Sequence, residues 1–268
     1  MIIGNREFDL AGQTYIMGIL NITPDSFHDG GRFNTVEKAL AQTDKMISEG
    51  AHIIDVGGMS TRPGHDVISP EEELLRVLPV IRELKKNFTI PLSIDTYRGE
   101  VAEEALSAGI DMINDVWGGI HGDRRMADIM AKYNIPCCLM HNGTYNVTSM
   151  DQVLSDLRSV TDYALSRGVD GAKIIIDPGI GFAKDQQTSL LVVKELHRLE
   201  ELNYPILLGA SNKSLIGYAL GLPSGERLQG TLAITAYAAQ QTHIAFLRVH
   251  DVKENAGVLR MLAAVESA

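Results

Sequence analysis

Asn21, Asp25, Asp55, Asp95, Asn114, Asp115, His141, Asn142, Asp177, Lys213, Arg248 and His250 each stand at or just beyond the carboxyl end of an apolar run. One Asp in such a place is commonly the cap of the helix that follows. Several converging polar ends call for another account. Amide and carboxylate groups in this proportion suit a planar heterocycle with amino, ring N–H and carbonyl edges, because Asp accepts from a paired N–H and NH₂ while Asn both donates and accepts. Arg62, Lys213, Arg248 and His250 add cations near the same ends of an otherwise acidic chain. Arg in particular matches phosphate oxygens, so a phosphorylated ligand fits. No His-x-His pair and no G-x-S-x-G elbow is present, which argues against a zinc hydrolase barrel and an α/β-hydrolase.

Eight apolar runs must position these groups: residues 14–20, 51–56, 90–95, 110–115, 135–141, 172–177, 204–210 and 244–250. Most are continuously apolar, as expected of parallel strands buried on both faces. Amphipathic segments alternate with them. Residues 35–49 place Val36, Leu40 and Ile47 on one face before Gly50; Ser69-Pro70-Glu71-Glu72 opens a helix in which Pro79 predicts a kink; Ser149-Met150-Asp151-Gln152 opens another that Gly168 ends. Further helices are expected over 188–202, 226–241 and 253–267. Strand and helix alternate eight times with short connections, which predicts a (β/α)8 TIM barrel in one domain, residues 1–268. A doubly wound sheet is the competing architecture, but its dinucleotide fingerprint fails: Gly179-Ile180-Gly181 is followed by Lys184 where the third Gly belongs. Residues 1–14, with turns at Gly4-Asn5 and Gly12, read as an N-terminal β-hairpin able to plug the amino end of the barrel.

Two long Gly- and Pro-containing connections follow the first two strands, residues 23–31 and 57–64, and are candidate lids. A net charge of −10 with no basic stripe excludes nucleic acid and anionic membrane as partners. The absence of a long apolar span and of a signal-like amino end predicts a cytoplasmic protein. Cys137 and Cys138 are neighbours that cannot usefully bridge, so buried thiols are expected.

The segments MGILNITPDSFHDGG, DVGGMSTRPG, SIDTY, INDVWG, LMHN, IIDPGIGF, Lys213-Ser214 and RVHDV, collinear over the whole chain, resemble the dihydropteroate synthase family. That resemblance implies a barrel that joins 6-hydroxymethyl-7,8-dihydropterin diphosphate to p-aminobenzoate with release of pyrophosphate, a sulfonamide target and a homodimer. It implies that Asp95, Asn114, Asp177 and Lys213 bond the pterin edge, that Val116, Met140, Phe182 and Gly209 line its pocket, and that Arg248 covers its face. Asn21, Arg62, Arg248 and His250 would hold the diphosphate, with Mg²⁺ bridging it to Asn21 and Asp25. Phe27, Thr61, Pro63 and Ser214 would frame the aminobenzoate, and Asp25, Arg62, Asp95 and Lys213 would carry the chemistry. The chain departs from the family pattern at Asn212, where Arg is usual, at Met59, where an acid is common, and at Cys138, where a branched aliphatic often lines the pocket. Two other readings share the pocket: a pterin-binding methyltransferase, which would not be expected to carry both long loops, and a pterin-binding paralogue of low activity, supported by Asn212.

Overall fold

A computed structural model describes residues 1–22, 32–59, 68–118, 124–143 and 146–268. Asp25, Phe27, Thr61, Arg62 and Pro63, and with them most of both candidate lids, lie outside the described residues. A two-stranded hairpin, β1 (Ile2–Ile3) and β2 (Arg6–Glu7), precedes eight parallel strands: β3 (Tyr15–Asn21), β4 (Ile53–Gly57), β5 (Leu92–Asp95), β6 (Met112–Asp115), β7 (Cys137–Met140), β8 (Ile174–Asp177), β9 (Leu207–Leu208) and β10 (Phe246–Val249). Their order is β8-β7-β6-β5-β4-β3-β10-β9. The two outer strands meet through a parallel bridge between Ile176 and Ile206, with Ile176 N donating to Pro205 O at 2.9 Å. The sheet thus closes into the expected (β/α)8 TIM barrel.

Around it run α1 (Arg32–Ser48), α2 (Pro70–Asn87), α3 (Gly99–Ser107), α4 (Arg125–Tyr133), α5 (Met150–Ser166), α6 (Gln186–Lys194), α7 (Ser214–Leu220), α8 (Leu228–Gln241) and α9 (Val252–Glu266). Local chemistry sets their starts. Ser69 Oγ accepts from Glu72 N at 3.2 Å and Ser149 Oγ from Gln152 N at 3.3 Å, each satisfying one orphan donor of a first turn. Helix α2 continues through Pro79 and buries Val77, Val80, Ile81 and Leu84. The helix expected over 188–202 divides: α6 ends at Lys194 and a 3₁₀ segment covers Leu196–Leu202. Leu196, Leu199 and Leu202 are spaced by three, so the tighter winding puts all three on one buried face.

Period-two alternation builds the barrel interior in layers. Ile53, Met112, Cys138, Ile175, Leu207 and Phe246 form one apolar cluster with Ile3 and Phe8, so the hairpin seals the amino end. Phe8 meets Tyr15 edge-on at 4.8 Å and Phe246 at 5.6 Å. Two residues further along six strands stand Asp55, Asn114, Met140, Asp177, Gly209 and Arg248. Polar chemistry therefore begins one layer above a sealed apolar floor. Cys138 belongs to that floor, beneath Met140, and is buried and unpaired as expected.

Candidate active site

The polar layer is organised around Arg248. Its Nε donates to Asp55 Oδ2 and its Nη2 to Asp95 Oδ2, both at 2.6 Å, and Asn114 Nδ2 donates to the same Asp55 oxygen at 3.1 Å. One guanidinium thus spans two buried carboxylates, while 17% of its own side chain faces the mouth. Asp95 Oδ1 and Asp55 Oδ1 are buried and have no hydrogen bond among the described residues. A buried carboxylate oxygen without a donor is costly unless a ligand supplies one. Burial lifts the Asp95 pKa to about 7, Arg248 opposing and the Asp55 charge adding to the rise. Burial works against the Arg248 charge, but Asp55 and Asp95 hold its pKa above the usual guanidinium value.

Asp177 is the third buried carboxylate of the ring. Gly179 N donates to its Oδ1 at 2.7 Å, and burial raises its pKa against that bond and the charges of Lys213, Arg248 and Lys184. A Cβ on Gly209 would lie 3.4 Å from Asp177 Oδ2, so glycine there leaves the carboxylate face open. Val116, Met140 and Phe182 pack as a separate apolar cluster with Tyr97 and Trp117. Lys213 Nζ stands 4.2 Å above the Phe182 ring, within cation–π range. Carboxylates and an amide along one edge, apolar side chains on one wall and a cation above describe a slot for a flat, donor-edged heterocycle.

Asn21 ends β3, its Oδ1 3.5 Å from where a Gly57 side chain would begin. His250 lies beyond β10, its Nδ1 3.1 Å from Ser211 Oγ, which also accepts from His250 N at 3.2 Å. Ser214 is exposed at the start of α7 and exchanges hydrogen bonds with Gln186 at 3.1 and 3.2 Å. Asn212 has a positive φ of 57°, a region Asn tolerates. Its Nδ2 reaches Asp251 Oδ2 at 3.4 Å and its carbonyl accepts from Arg227 at 3.1 Å. The turn before Lys213 is therefore tied down without the usual Arg.

Three rim residues serve the scaffold instead. Asp115 Oδ1 accepts from Trp117 N at 2.9 Å, closing a tight turn, and Asn142 Nδ2 donates to Val116 O at 3.0 Å. His141 is buried between Asp156, 3.1 Å from its Nε2, and Lys184, 2.7 Å from its Nδ1. Burial, with the Lys184 charge second, lowers the His141 pKa to about 4, and burial brings Lys184 down to about 7. Asp55 is the central partner of Arg248 and Asn114, a role that its strand-end position alone does not reveal.

Gly179 shows how tightly this layer is built. Its φ is +66°, and an added Cβ would fall 1.9 Å from the His141 carbonyl oxygen. Gly179→Ala is expected to destabilise the fold by at least about 2 kcal/mol, seen as a lower urea midpoint. An unchanged midpoint would show that the loop relaxes freely.

A family model described as pterin binding enzyme matches residues 17–250. A dihydropteroate synthase of Clostridium beijerinckii is 51% identical over 97% of this chain and 97% of its own length. The solved dihydropteroate synthase of Clostridium difficile, determined in the presence of pteroic acid, superimposes with a TM-score of 0.92 at 46% identity, covering 97% of this chain and 99% of that one. That of Xanthomonas albilineans, with 4-aminobenzoic acid, has a TM-score of 0.91 at 38% identity, covering 96% and 94%. Such similarity along the whole barrel leaves one assignment: the chain belongs to the dihydropteroate synthase family of pterin-binding enzymes.

Proposed function

We propose that this chain catalyses the dihydropteroate synthase reaction, joining 6-hydroxymethyl-7,8-dihydropterin diphosphate to p-aminobenzoate to give dihydropteroate and pyrophosphate in folate biosynthesis. The observation that carries this reading is the slot itself, with Asp95, Asn114 and Asp177 buried on one edge beside Val116, Met140 and Phe182. The unbonded Asp95 oxygen accepts from the amino and ring N–H groups of the pterin, and Asp177 and Asn114 bond the rest of its edge. Lys213 bonds the pterin from above, and Arg248, released from part of its carboxylate pair, covers the ring face. When the methylene C–O bond breaks, the electron pair leaves with pyrophosphate and the pterin carries the positive charge. Asp95 and Asp177 stabilise that charge, and Asn21, Arg62, Arg248 and His250 hold the leaving group. The arylamine nitrogen, framed by Phe27, Thr61, Pro63 and Ser214, then forms the C–N bond and loses a proton. No covalent protein intermediate is needed.

Asn21 offers a neutral amide oxygen, and among the described residues no cluster of three acidic, His or Cys side chains is built to hold a metal. That donor set fits Mg²⁺, which takes few protein oxygens and several from phosphate. We place it on Asn21 and Asp25 with the diphosphate, where it would supply charge neutralisation. Exposed Tyr218, Leu220, Tyr237, Met261 and Val265 lie on the successive helices α7, α8 and α9 and support a homodimer. No helix among the described residues is long and apolar enough to cross a membrane, and we place the enzyme in the cytoplasm.

The test is direct: purified chain, dihydropterin diphosphate and p-aminobenzoate, with Mg²⁺ or with chelator, following pyrophosphate and pteroate. Equimolar products that fall sharply with chelator are expected. Pyrophosphate without pteroate, or no product at high enzyme, would sink the synthase reading and leave a binding paralogue. Light scattering of the same preparation should give twice the chain mass, and a single-chain mass would refute the dimer.

A further inference from the structure

Residues 178–183, between β8 and α6, carry Phe182 into the slot wall and orient Asp177 through Gly179 N. Their backbone is not one the sequence adopts without support. Gly179, Gly181 and Ala183 all have positive φ, at 66°, 80° and 49°, and the alanine has no glycine-like freedom there. Inside this loop sits the buried ammonium of Lys184. Its Nζ donates to Gly179 O and Phe182 O, each at 3.0 Å, and lies 2.7 Å from His141 Nδ1. In its protonated form this amine has three donors, and all three are engaged by the protein. For Nδ1 to accept, the His141 proton must be on Nε2, and Asp156 Oδ2 at 3.1 Å selects that tautomer. Val147 N donates to Ala183 O at 2.8 Å and pins the outer side.

We propose that Lys184 is a positioning residue, its ammonium acting as an internal tie that holds the β8–α6 loop so that the Asp177 carboxylate and the Phe182 ring face the heterocycle, with His141 and Asp156 keeping the tie in register. The inference rests on the pterin-binding reading of the slot and adds a network outside it. Lys184 touches neither substrate; its effect reaches the heterocycle through the Gly179 and Phe182 carbonyls. The aminobenzoate side, framed elsewhere, does not depend on it.

Trp117, the single tryptophan, packs against the slot cluster, and its fluorescence is the probe for binding of dihydropterin diphosphate alone. Lys184→Met keeps the stem and removes the three donors. Pterin affinity should fall about 10- to 100-fold, as expected for loss of bonds to a charged donor, while the KM for p-aminobenzoate moves less than about twofold. Asp156→Ala, at a half-buried position less able to harm folding, should weaken pterin binding in the same direction by about two- to fivefold through the freed tautomer. Unchanged pterin affinity in Lys184→Met, or equal loss for both substrates, would overturn the positioning role. If that variant fails to fold, unchanged affinity in Asp156→Ala overturns it alone. A wild-type chain that binds no dihydropterin would overturn the functional reading and this inference with it, whereas wild-type binding with indifferent variants overturns only the inference.

Discussion

Asp95→Asn is expected to weaken dihydropterin binding by about 3 kcal/mol, on the order of 10²-fold, and to abolish the rise of that binding with pH near neutrality. The first effect follows from donor and acceptor count. Asp95 Oδ2 receives Arg248 and its Oδ1 has no donor among the described residues, so in the proposed binding mode this oxygen is the acceptor for the heterocycle. An amide in its place either turns NH₂ toward the donor edge of the pterin or turns it toward the guanidinium. Both are donor–donor contacts in a buried site. The second effect follows from the Asp95 pKa of about 7. A ligand that donates to the carboxylate selects the ionised form, so wild-type affinity should increase as pH rises from 6 to 8 and then level off. Asn cannot titrate, so the rise from pH 6 to 8 should be absent from its binding curve, leaving at most a fall as Lys184 loses its proton. Calorimetry at the two pH values decides it; a variant that binds as tightly as wild type, or keeps the same pH dependence, removes Asp95 from the pterin edge.

The contrast between Asp95 and Lys184 shows what a sequence exposes of such a site. Asp95 ends the buried strand Leu92–Asp95, and strand-end position in a barrel already places it at the mouth. The same logic locates Asn114, Asp177 and Arg248, and the apolar wall of Val116, Met140 and Phe182 is recoverable through the family resemblance. Lys184 carries no such mark. Read along the chain, it is a lone cation after a glycine turn, and its meaning arises only when His141, 43 positions earlier, is brought to its ammonium. Arg248 is intermediate: its place on the rim is legible, but its grip on Asp55 and Asp95 joins residues 193 and 153 positions apart. The 3₁₀ turn at Leu196–Leu202 was hidden for a different reason, since leucines spaced by three fit an α-helical stripe nearly as well.

Arg248→Met should remove most turnover and also make the protein's stability depend on pH in a way that wild type does not share. Arg248 is the direct cationic partner of both Asp55 and Asp95 in the buried layer. Removing one partner of a buried ion pair leaves charge uncompensated and typically destabilises by about 3–5 kcal/mol, unless the carboxylate takes up a proton. In wild type, the Asp95 pKa is already raised to about 7 by burial, with Arg248 restraining the rise. Without the guanidinium it moves higher. A carboxylate whose folded pKa exceeds its unfolded value contributes stability that is complete below the unfolded value and is lost as pH rises through the folded one. For wild type that loss is nearly finished just above pH 7. For the variant it continues upward, at about 1.4 kcal/mol for each pH unit by which the folded pKa has moved. The gap between the two proteins should therefore be smallest near pH 6 and widen toward pH 9, as read from urea midpoints. Arg248→Lys offers a control, because an ammonium keeps the charge yet cannot fork to two carboxylates as Nε and Nη2 do; it should narrow the alkaline gap without restoring turnover. A gap that is constant from pH 6 to 9 would mean that Arg248 contributes packing alone and that the two carboxylates do not need its charge.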